Sequence, residues 1–404
     1  MKIALYHNLP SGGGKRALYE MVVRLAAHHE IDAYSLSMAD HDFCDIRPYC
    51  RRRIVFPFRP LPLVHPPFGR LNQGIRSADL LRLTRIQRQL AAQIDREGYD
   101  LVFVHNCRIG QSPSLLRFLR TPTLYYCQEV PRQVCEPAPA RPHQRFSLGQ
   151  RLGNLVDPLP HLYATTLTQL DRRNVQAVGA VLANSAYSRE SFFRHYGVTA
   201  DVCYLGIDSE RFHATGEPRE GYVLSVGALH PRKGFDLLID SLALIEPERR
   251  PPLLIVSNAV DEVEKAYLLA LAQRQNVAVT FRANIADAEL VAFYNRALMT
   301  VYMPLMEPFG LVALEAMSTA TPIISVNEGG VRETIRHGET GLLVERKPRA
   351  VAEAICALLD DAVLRRRLGQ NGRAHVLRNW QWDSTIERLE RSMRELLDAT
   401  RSQA

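Results

Sequence analysis

What most constrains this chain is the regular alternation, along nearly its whole length, of short apolar or β-branched runs with helical patterns. Strand-like runs occupy residues 3–7, 31–36, 101–105, 123–126, 180–183 and 201–205. A second series occupies 222–226, 253–256, 277–281, 299–303 and 323–326. Between the first two, Leu18, Val22, Leu25 and Ala26 share one face of a helical pattern over 15–27. Strands and helices alternating at this length predict an α/β fold with parallel sheets covered on both faces. At 404 residues the chain exceeds one ordinary core and suits two domains. The polar segment 213–221, with Gly216, Pro218 and Gly221, reads as the linker, so the expected domains are 1–210 and 211–383. Two doubly wound, Rossmann-like domains facing each other across a cleft follow, with ligands expected beyond the carboxyl ends of the strands.

Composition narrows the function classes. No apolar run reaches the roughly 18 residues of a membrane span, and the opening strand is too short for a signal-peptide core. The seven cysteines include no Cys-x-x-Cys pair, which argues against a disulfide framework and a zinc site and for the reducing cytoplasm. The net charge of +7 is uneven: residues 47–88 hold ten arginines and one acid, Asp79. Phe56, Phe58 and Phe68 lie in that stretch among prolines 57, 60, 62, 66 and 67. It reads either as a solvated basic loop and helix face or as a surface for an anionic partner, a membrane or a phosphorylated acceptor. No nucleic-acid signature accompanies the charge, and no nucleic-acid partner is expected.

Three constellations carry the chemistry. In the first, Glu307 and Glu315 bracket Pro308, Phe309, Gly310, Leu311 and Val312. Proline disfavours helical geometry in the residue before it, so Glu307 belongs to a loop and a helix starts near Phe309 or Gly310. Gly310 permits close backbone approach, and the N–H groups of Leu311 and Val312 then face an anion. Glu315 lies about five residues into the helix, roughly 7 Å along its axis, a span that suits a nucleotide sugar. The competing account is an ordinary amphipathic helix burying Leu311, Leu314 and Met317. In the second constellation Gly227 ends a strand, and Arg232 and Lys233 precede a helical run. Two cations there are placed to neutralise a diphosphate, a charge at about 4 Å being worth roughly 4 kcal/mol at an effective dielectric of 20; a solvated turn is the alternative. In the third, Ser11, Gly12, Gly13, Gly14 and Lys15 follow the first strand. This is no Walker loop, because Leu9 and Arg16 stand where it needs glycine and Ser/Thr. Three glycines still indicate close approach to the backbone; a purely structural tight turn, for which one glycine would suffice, is the competing account. His105, with Asn106 and Gln111, either faces the cleft or caps a strand end, and Trp380 and Trp382 read as packing anchors.

These motifs in this order resemble family 4 of the glycosyltransferases, retaining enzymes of GT-B fold. The likeness extends to Asn184-Ser185 with Ser188 as helix cap, Gly206-Ile207-Asp208, Gly329-Gly330 with Glu333, and the run from His337 to Val344. The resemblance implies that a hexose-type sugar passes from a UDP- or GDP-sugar to a hydroxyl acceptor in cell-surface polysaccharide, glycolipid or related glycoconjugate synthesis. It implies Glu307 at the donor sugar, Glu315 at the ribose, Arg232 and Lys233 on the diphosphate, and Gly13 and Gly14 closing over it from the other domain. Residues 281–285, Ile285 included, would line the base pocket. No metal and no cofactor is expected, and residues 384–404 would return to the N-terminal, acceptor-binding domain. The protein would be cytoplasmic or peripheral on the inner face of the membrane. Gln128 stands where relatives often show His-Glu, and Ala228 where many carry arginine. Gln128 cannot act as a base and can only orient a hydroxyl. These two departures keep open a nucleotide-sugar-binding module without turnover, with a GT-B epimerase as a third reading.

Overall fold

A computed structural model describes residues 1–65, 71–136, 139–141 and 158–403. The chain divides into two compact units. Unit 1 comprises 1–137, 141–204 and 386–404, and unit 2 comprises 205–385 with 138–140.

Unit 1 is built on a seven-stranded sheet: β1 Lys2–Asn8, β2 Glu30–Leu36, β3 Arg52–Phe56, β4 Leu101–Cys107, β5 Thr123–Cys127, β6 Ala180–Ala183 and β7 Asp201–Val202. Its order is β3-β2-β1-β4-β5-β6-β7, and every pairing is parallel. β4 is buried at all seven positions, as a strand covered on both faces must be. Val102, Val104, Tyr125 and Val181 from the sheet meet Leu90, Ile94 and Phe192 from covering helices in one core.

Unit 2 carries six strands: β8 Val223–Val226, β9 Leu253–Ser257, β10 Val279–Ala283, β11 Met299–Tyr302, β12 Ile323–Val326 and β13 Leu342–Val344. The order is β10-β9-β8-β11-β12-β13, again all parallel. Its core joins Ile255, Val301 and Ile324 to Phe235, Leu238, Leu268 and Ile355. In each sheet the order reverses once, between β1 and β4 and between β8 and β11. The crossovers leave in opposite directions there, and an open α/β sheet gains a crevice at the carboxyl ends of those strands.

Several expectations are corrected. The division falls at 204/205 rather than after 210, and 213–221 is no loose linker. Thr215 N–H donates to Asn295, and the Arg219 guanidinium donates to the carbonyls of Tyr294, Ala297 and Ala320 and to Thr321 Oγ1, which ties the segment to unit 2. The basic stretch contains the edge strand β3. Arg51 and Arg52 there pair with buried Asp32 on β2, at 2.6 and 2.9 Å, and Arg82 pairs with Asp79 at 2.5 Å. Phe58 is buried against Leu36, Leu83 and Cys107, while Phe68 and Arg70 lie outside the described residues. The helix Ala186–Tyr196 is capped by Ser185, whose hydroxyl accepts from Ser188 N–H, so Ser188 is the donor and not the cap. The last helix runs over Trp382–Gln403. Trp380 and Trp382 are buried, Trp380 Nε1 donating to His375, as packing anchors do.

Candidate active site

In unit 2 the loops after β8 and β11 bring the expected residues together at the strand reversal. After β8, Pro231–Lys233 forms one tight turn, held by the His230 ring accepting from Arg232 N–H. Lys233 runs its stem over Gly227 and places Nζ 3.0 and 2.9 Å from the two carboxylate oxygens of Glu307. The Tyr302 ring lies beneath the ammonium, 5.9 Å from Nζ. Both side chains keep partial access to solvent, 21% for Lys233 and 17% for Glu307. Arg232 is buried, so the pair of cations is not a solvated turn.

Glu307 is fixed through its backbone. Its carbonyl accepts from Gly330 N–H at 2.8 Å, and Gly329, at φ 60°, sits so close that a Cβ there would lie 2.5 Å from that carbonyl oxygen. Met306, just before it, holds φ 48°, costly for a side chain of that kind. Phe309 is buried 5.8 Å from the Trp380 ring. Gly310 adopts φ 93° as the N-cap, a Cβ there would meet Val331 at 2.6 Å, and the helix therefore starts at Leu311 and runs to Ser318. Ala313 N–H already donates to the Gly310 carbonyl, so the helix leaves over the N–H groups of Leu311 and Val312. This start carries positive helix-dipole charge beside an ammonium and a carboxylate, a setting for a sugar phosphate.

Glu315 is 6% exposed and accepts from the Tyr294 hydroxyl at 2.7 Å, so it is a positioned buried carboxylate and not an open surface acid. Ile285 is half-buried just past the end of β10, the strand at one edge of the sheet. The sequence offered no local sign of Tyr294 or Tyr302, because each acts across the fold on a residue distant in the chain.

Unit 1 presents its own cluster at the reversal between β1 and β4. The helix Gly13–Leu25 begins within the glycine run. The Gln128 amide nitrogen donates to the Gly14 carbonyl at 3.0 Å and lies 3.3 Å from His105 Nδ1. His105 is buried within β4; burial first, then Lys15, pushes its pKa down to about 3. Asn106 and Gln111 both donate to the Glu129 carbonyl. Among the described residues no three His, Cys, Asp or Glu side chains group to hold a metal ion, and no helix is long and apolar enough to cross a membrane.

Solved structures share this architecture. Sucrose-phosphate synthase from Thermosynechococcus elongatus superposes with a TM-score of 0.75 at 23% identity, covering 99% of this chain and 100% of that one. Anabaena HepE, solved in complex with UDP and glucose, gives 0.69 at 17% identity, covering 98% and 100%. The fold is thus of the GT-B class, two Rossmann-like domains. Residues 11–211 match Glycosyltransferase Family 4 and residues 207–375 match Glycosyl transferases group 1. With both halves accounted for, the chain belongs to glycosyltransferase family 4. Among curated proteins, it is 33% identical over 243 residues to the GDP-mannose-dependent alpha-(1-6)-phosphatidylinositol monomannoside mannosyltransferase of Mycobacterium tuberculosis, covering 54% of this chain and 62% of that protein. It is 34% identical over 219 residues to the D-inositol 3-phosphate glycosyltransferase of Acidothermus cellulolyticus, covering 52% and 48%. The matches thus span about half to three-fifths of these relatives' length.

Proposed function

We propose that the protein is a retaining glycosyltransferase that moves a hexose-type sugar from a UDP- or GDP-sugar to a hydroxyl acceptor without a metal ion. The observation that carries this reading is the Lys233–Glu307 pair at 2.9 Å, set at the strand reversal of unit 2 beside an unspent helix start. Glu307 accepts from the sugar hydroxyls and Glu315 from the ribose, while Gly227 and Phe309 to Val312 shape the phosphate cradle. Ile285 belongs to the base pocket, and Gly13 and Gly14 offer backbone to the substrate. In the reaction the bond from the anomeric carbon to the diphosphate breaks as the acceptor oxygen attacks from the same face. The acceptor proton passes to the departing phosphate oxygen. Lys233, Arg232 and the N–H groups of Leu311 and Val312 stabilise the charge that develops there, which is the kind of interaction that lowers a barrier.

The decisive experiment is turnover of a UDP- and GDP-sugar panel by the wild type, Glu307→Gln and Lys233→Met. Each variant loses about 10²–10³ in kcat by removal of one such interaction. Wild-type rates in both variants reject the assignment. The engagement of Gln128 with Gly14 favours a second reading, a nucleotide-sugar-binding module: calorimetry showing tight nucleotide diphosphate binding, without sugar release in a donor-hydrolysis assay, would establish it.

A role in cell-surface glycoconjugate synthesis at the inner face of the membrane belongs to the same proposal. Arg59, Arg76, Arg85 and Arg88 form no ion pair with another described residue, and Leu63, Leu71 and Leu81 stand 48–58% exposed near them. Co-sedimentation with anionic vesicles that weakens with salt supports attachment; none at low salt removes it.

A further inference from the structure

His375, late in the helix Ala362–Asn379, is buried and takes no part in the transfer chemistry, yet it ties together two supports of the loop from Glu307 to Gly310. The first support is Trp380. Its Nε1–H donates to His375 Nε2 at 3.0 Å, and its ring lies 5.8 Å from that of buried Phe309. The Trp380 carbonyl accepts from Ile207 N–H at 2.8 Å, which anchors the backbone that carries the indole. The second support is the short helix Val331–Thr334. Val331 sits where a Cβ on Gly310 would meet it at 2.6 Å, and Gly330, just before it, donates to the Glu307 carbonyl. At the other end of this helix the Thr334 carbonyl faces the His375 ring. One imidazole thus reaches Phe309 through an indole and Gly310 through a helical turn.

An indole N–H can only donate, so His375 Nε2 must be without a proton, and the neutral ring carries its proton on Nδ1, towards Thr334. The Asn379 amide lies 3.0 Å from Nδ1, and its oxygen end is the one that suits this tautomer. A proton on Nε2 would set two N–H groups against each other where both rings are almost wholly buried, and the bond to Trp380 would be lost. Burial, then the charges of Arg336 and Arg378, lower the His375 pKa, while the Thr334 carbonyl and Glu339 work against them. The ring is therefore neutral at neutral pH and the clamp closed. It opens only as pH falls below the ordinary histidine value of about 6.5.

We propose that His375 is a positioning residue for the donor: in its neutral form it holds Trp380 against Phe309 and so fixes the loop from Glu307 to Gly310 for a nucleoside diphosphate. The inference rests on the donor site of the transferase reading, but its readout is nucleotide affinity and needs no turnover. Calorimetry of the full chain with UDP and with GDP, near neutral pH, compares the wild type with His375→Leu and His375→Gln. His375→Leu leaves the indole N–H buried without its acceptor and should weaken binding by roughly three- to tenfold. Glutamine offers a carbonyl oxygen close to where Nε2 stands, so His375→Gln should return affinity to within about twofold of the wild type. The chain has two tryptophans, so Trp380→Phe assigns the two indole N–H resonances. That of Trp380 should move upfield in His375→Leu and stay in place in His375→Gln. Should His375→Leu not fold, Trp380→Phe keeps a ring against Phe309 and removes the N–H. Acidification from about pH 7 to about pH 5 should then cost the wild type severalfold more affinity than this variant, the nucleotide's own phosphate titrating alike with both. Wild-type affinity or an unmoved indole resonance in folded His375→Leu, equal acid losses in the wild type and Trp380→Phe, or a wild type that binds neither nucleotide overturns the proposal. The expected order of affinities in a protein that neither transfers nor hydrolyses a sugar sinks the transferase reading and leaves the role of His375 standing. Undiminished affinity in His375→Leu beside full donor turnover does the reverse.

Discussion

The backbone that presents Glu307 can be tested by one methyl group. Gly329 and Gly338 both adopt positive φ, 60° and 76°, but their surroundings differ. Around Gly338 nothing lies within 4 Å of an added Cβ, whereas at Gly329 the Cβ would stand 2.5 Å from the Glu307 carbonyl oxygen and 2.8 Å from its amide nitrogen. Gly338→Ala therefore has only the left-handed strain to bear, about 1–2 kcal/mol. Gly329→Ala bears the same strain and must also push rigid backbone aside, a further 1–3 kcal/mol on the scale of overpacking.

In a unit of this size each kcal/mol lowers Tm by roughly 2–4 °C. Gly338→Ala should melt about 2–8 °C below the wild type and retain its donor turnover. Gly329→Ala should melt lower still and lose about 10² in turnover, because the only way to relieve the clash is to move the residue that meets the sugar, and a misplacement near 1 Å has that effect. Thermal unfolding and donor hydrolysis on the same samples check both. Equal melting temperatures with undiminished turnover in Gly329→Ala would refute the view that this turn positions Glu307.

Removing one member of the Lys233–Glu307 pair leaves the other charge largely buried and unpaired, so each single variant should lose stability, by about 1–3 kcal/mol, as well as turnover; urea unfolding beside kinetics checks both. Asp32 is buried, which alone would raise its pKa, but hydrogen bonds from Arg51, Arg52 and Tyr99 hold it well below the carboxylate range. Its contribution is present above the unfolded pKa near 4 and is lost progressively as pH falls from there through the folded pKa, so Asp32→Asn should cost on the order of 3 kcal/mol at pH 7 and steadily less as pH drops below about 4. Asp171 is the opposite case: burial raises it to about 7 despite hydrogen bonds from Ser112 N–H and Tyr196. The folded state keeps this proton longer than the unfolded chain, so the wild type loses stability as pH rises from about 4 to 7. Asp171→Asn should flatten that slope by a few kcal/mol, matching the wild type at low pH and exceeding it at pH 8 in denaturant titrations.

The strands that sequence reasoning found are those buried on both faces, such as residues 101–105 and 299–303, where continuous apolar runs leave little ambiguity. The two it missed are edge strands. β3 opens with Arg52 and Arg53, whose charge hides the extended pattern until Asp32, its register partner across the sheet, is known. β13 is only three residues, and Leu342 to Val344 were read as part of a motif without a conformation. Glu307, Gly310 and Lys233 were legible because proline and glycine dictate local geometry. The roles of Gln128 and of segment 213–221 were not, since each depends on partners more than 70 residues away.

The two units place their chemistry by the same rule for different ends. In each, the reversal of strand order opens a gap that loops from two strands not consecutive in the chain must fill, and in each a glycine precedes a helix whose first amides stay unspent. Unit 2 fills its gap with opposite charges, so its cation is satisfied until a competing anion arrives. Unit 1 instead gathers Lys15, His7 and His41 around a small cavity that also holds Asp45. Met306 adds a second asymmetry, because a side chain at φ 48° persists only where the surrounding contacts over-determine it. Those contacts are Gly329 and Gly330 on the Glu307 carbonyl, so the strain is spent on aiming one carboxylate. A fold indifferent to where that carboxylate points would have relaxed the turn with a glycine at 306.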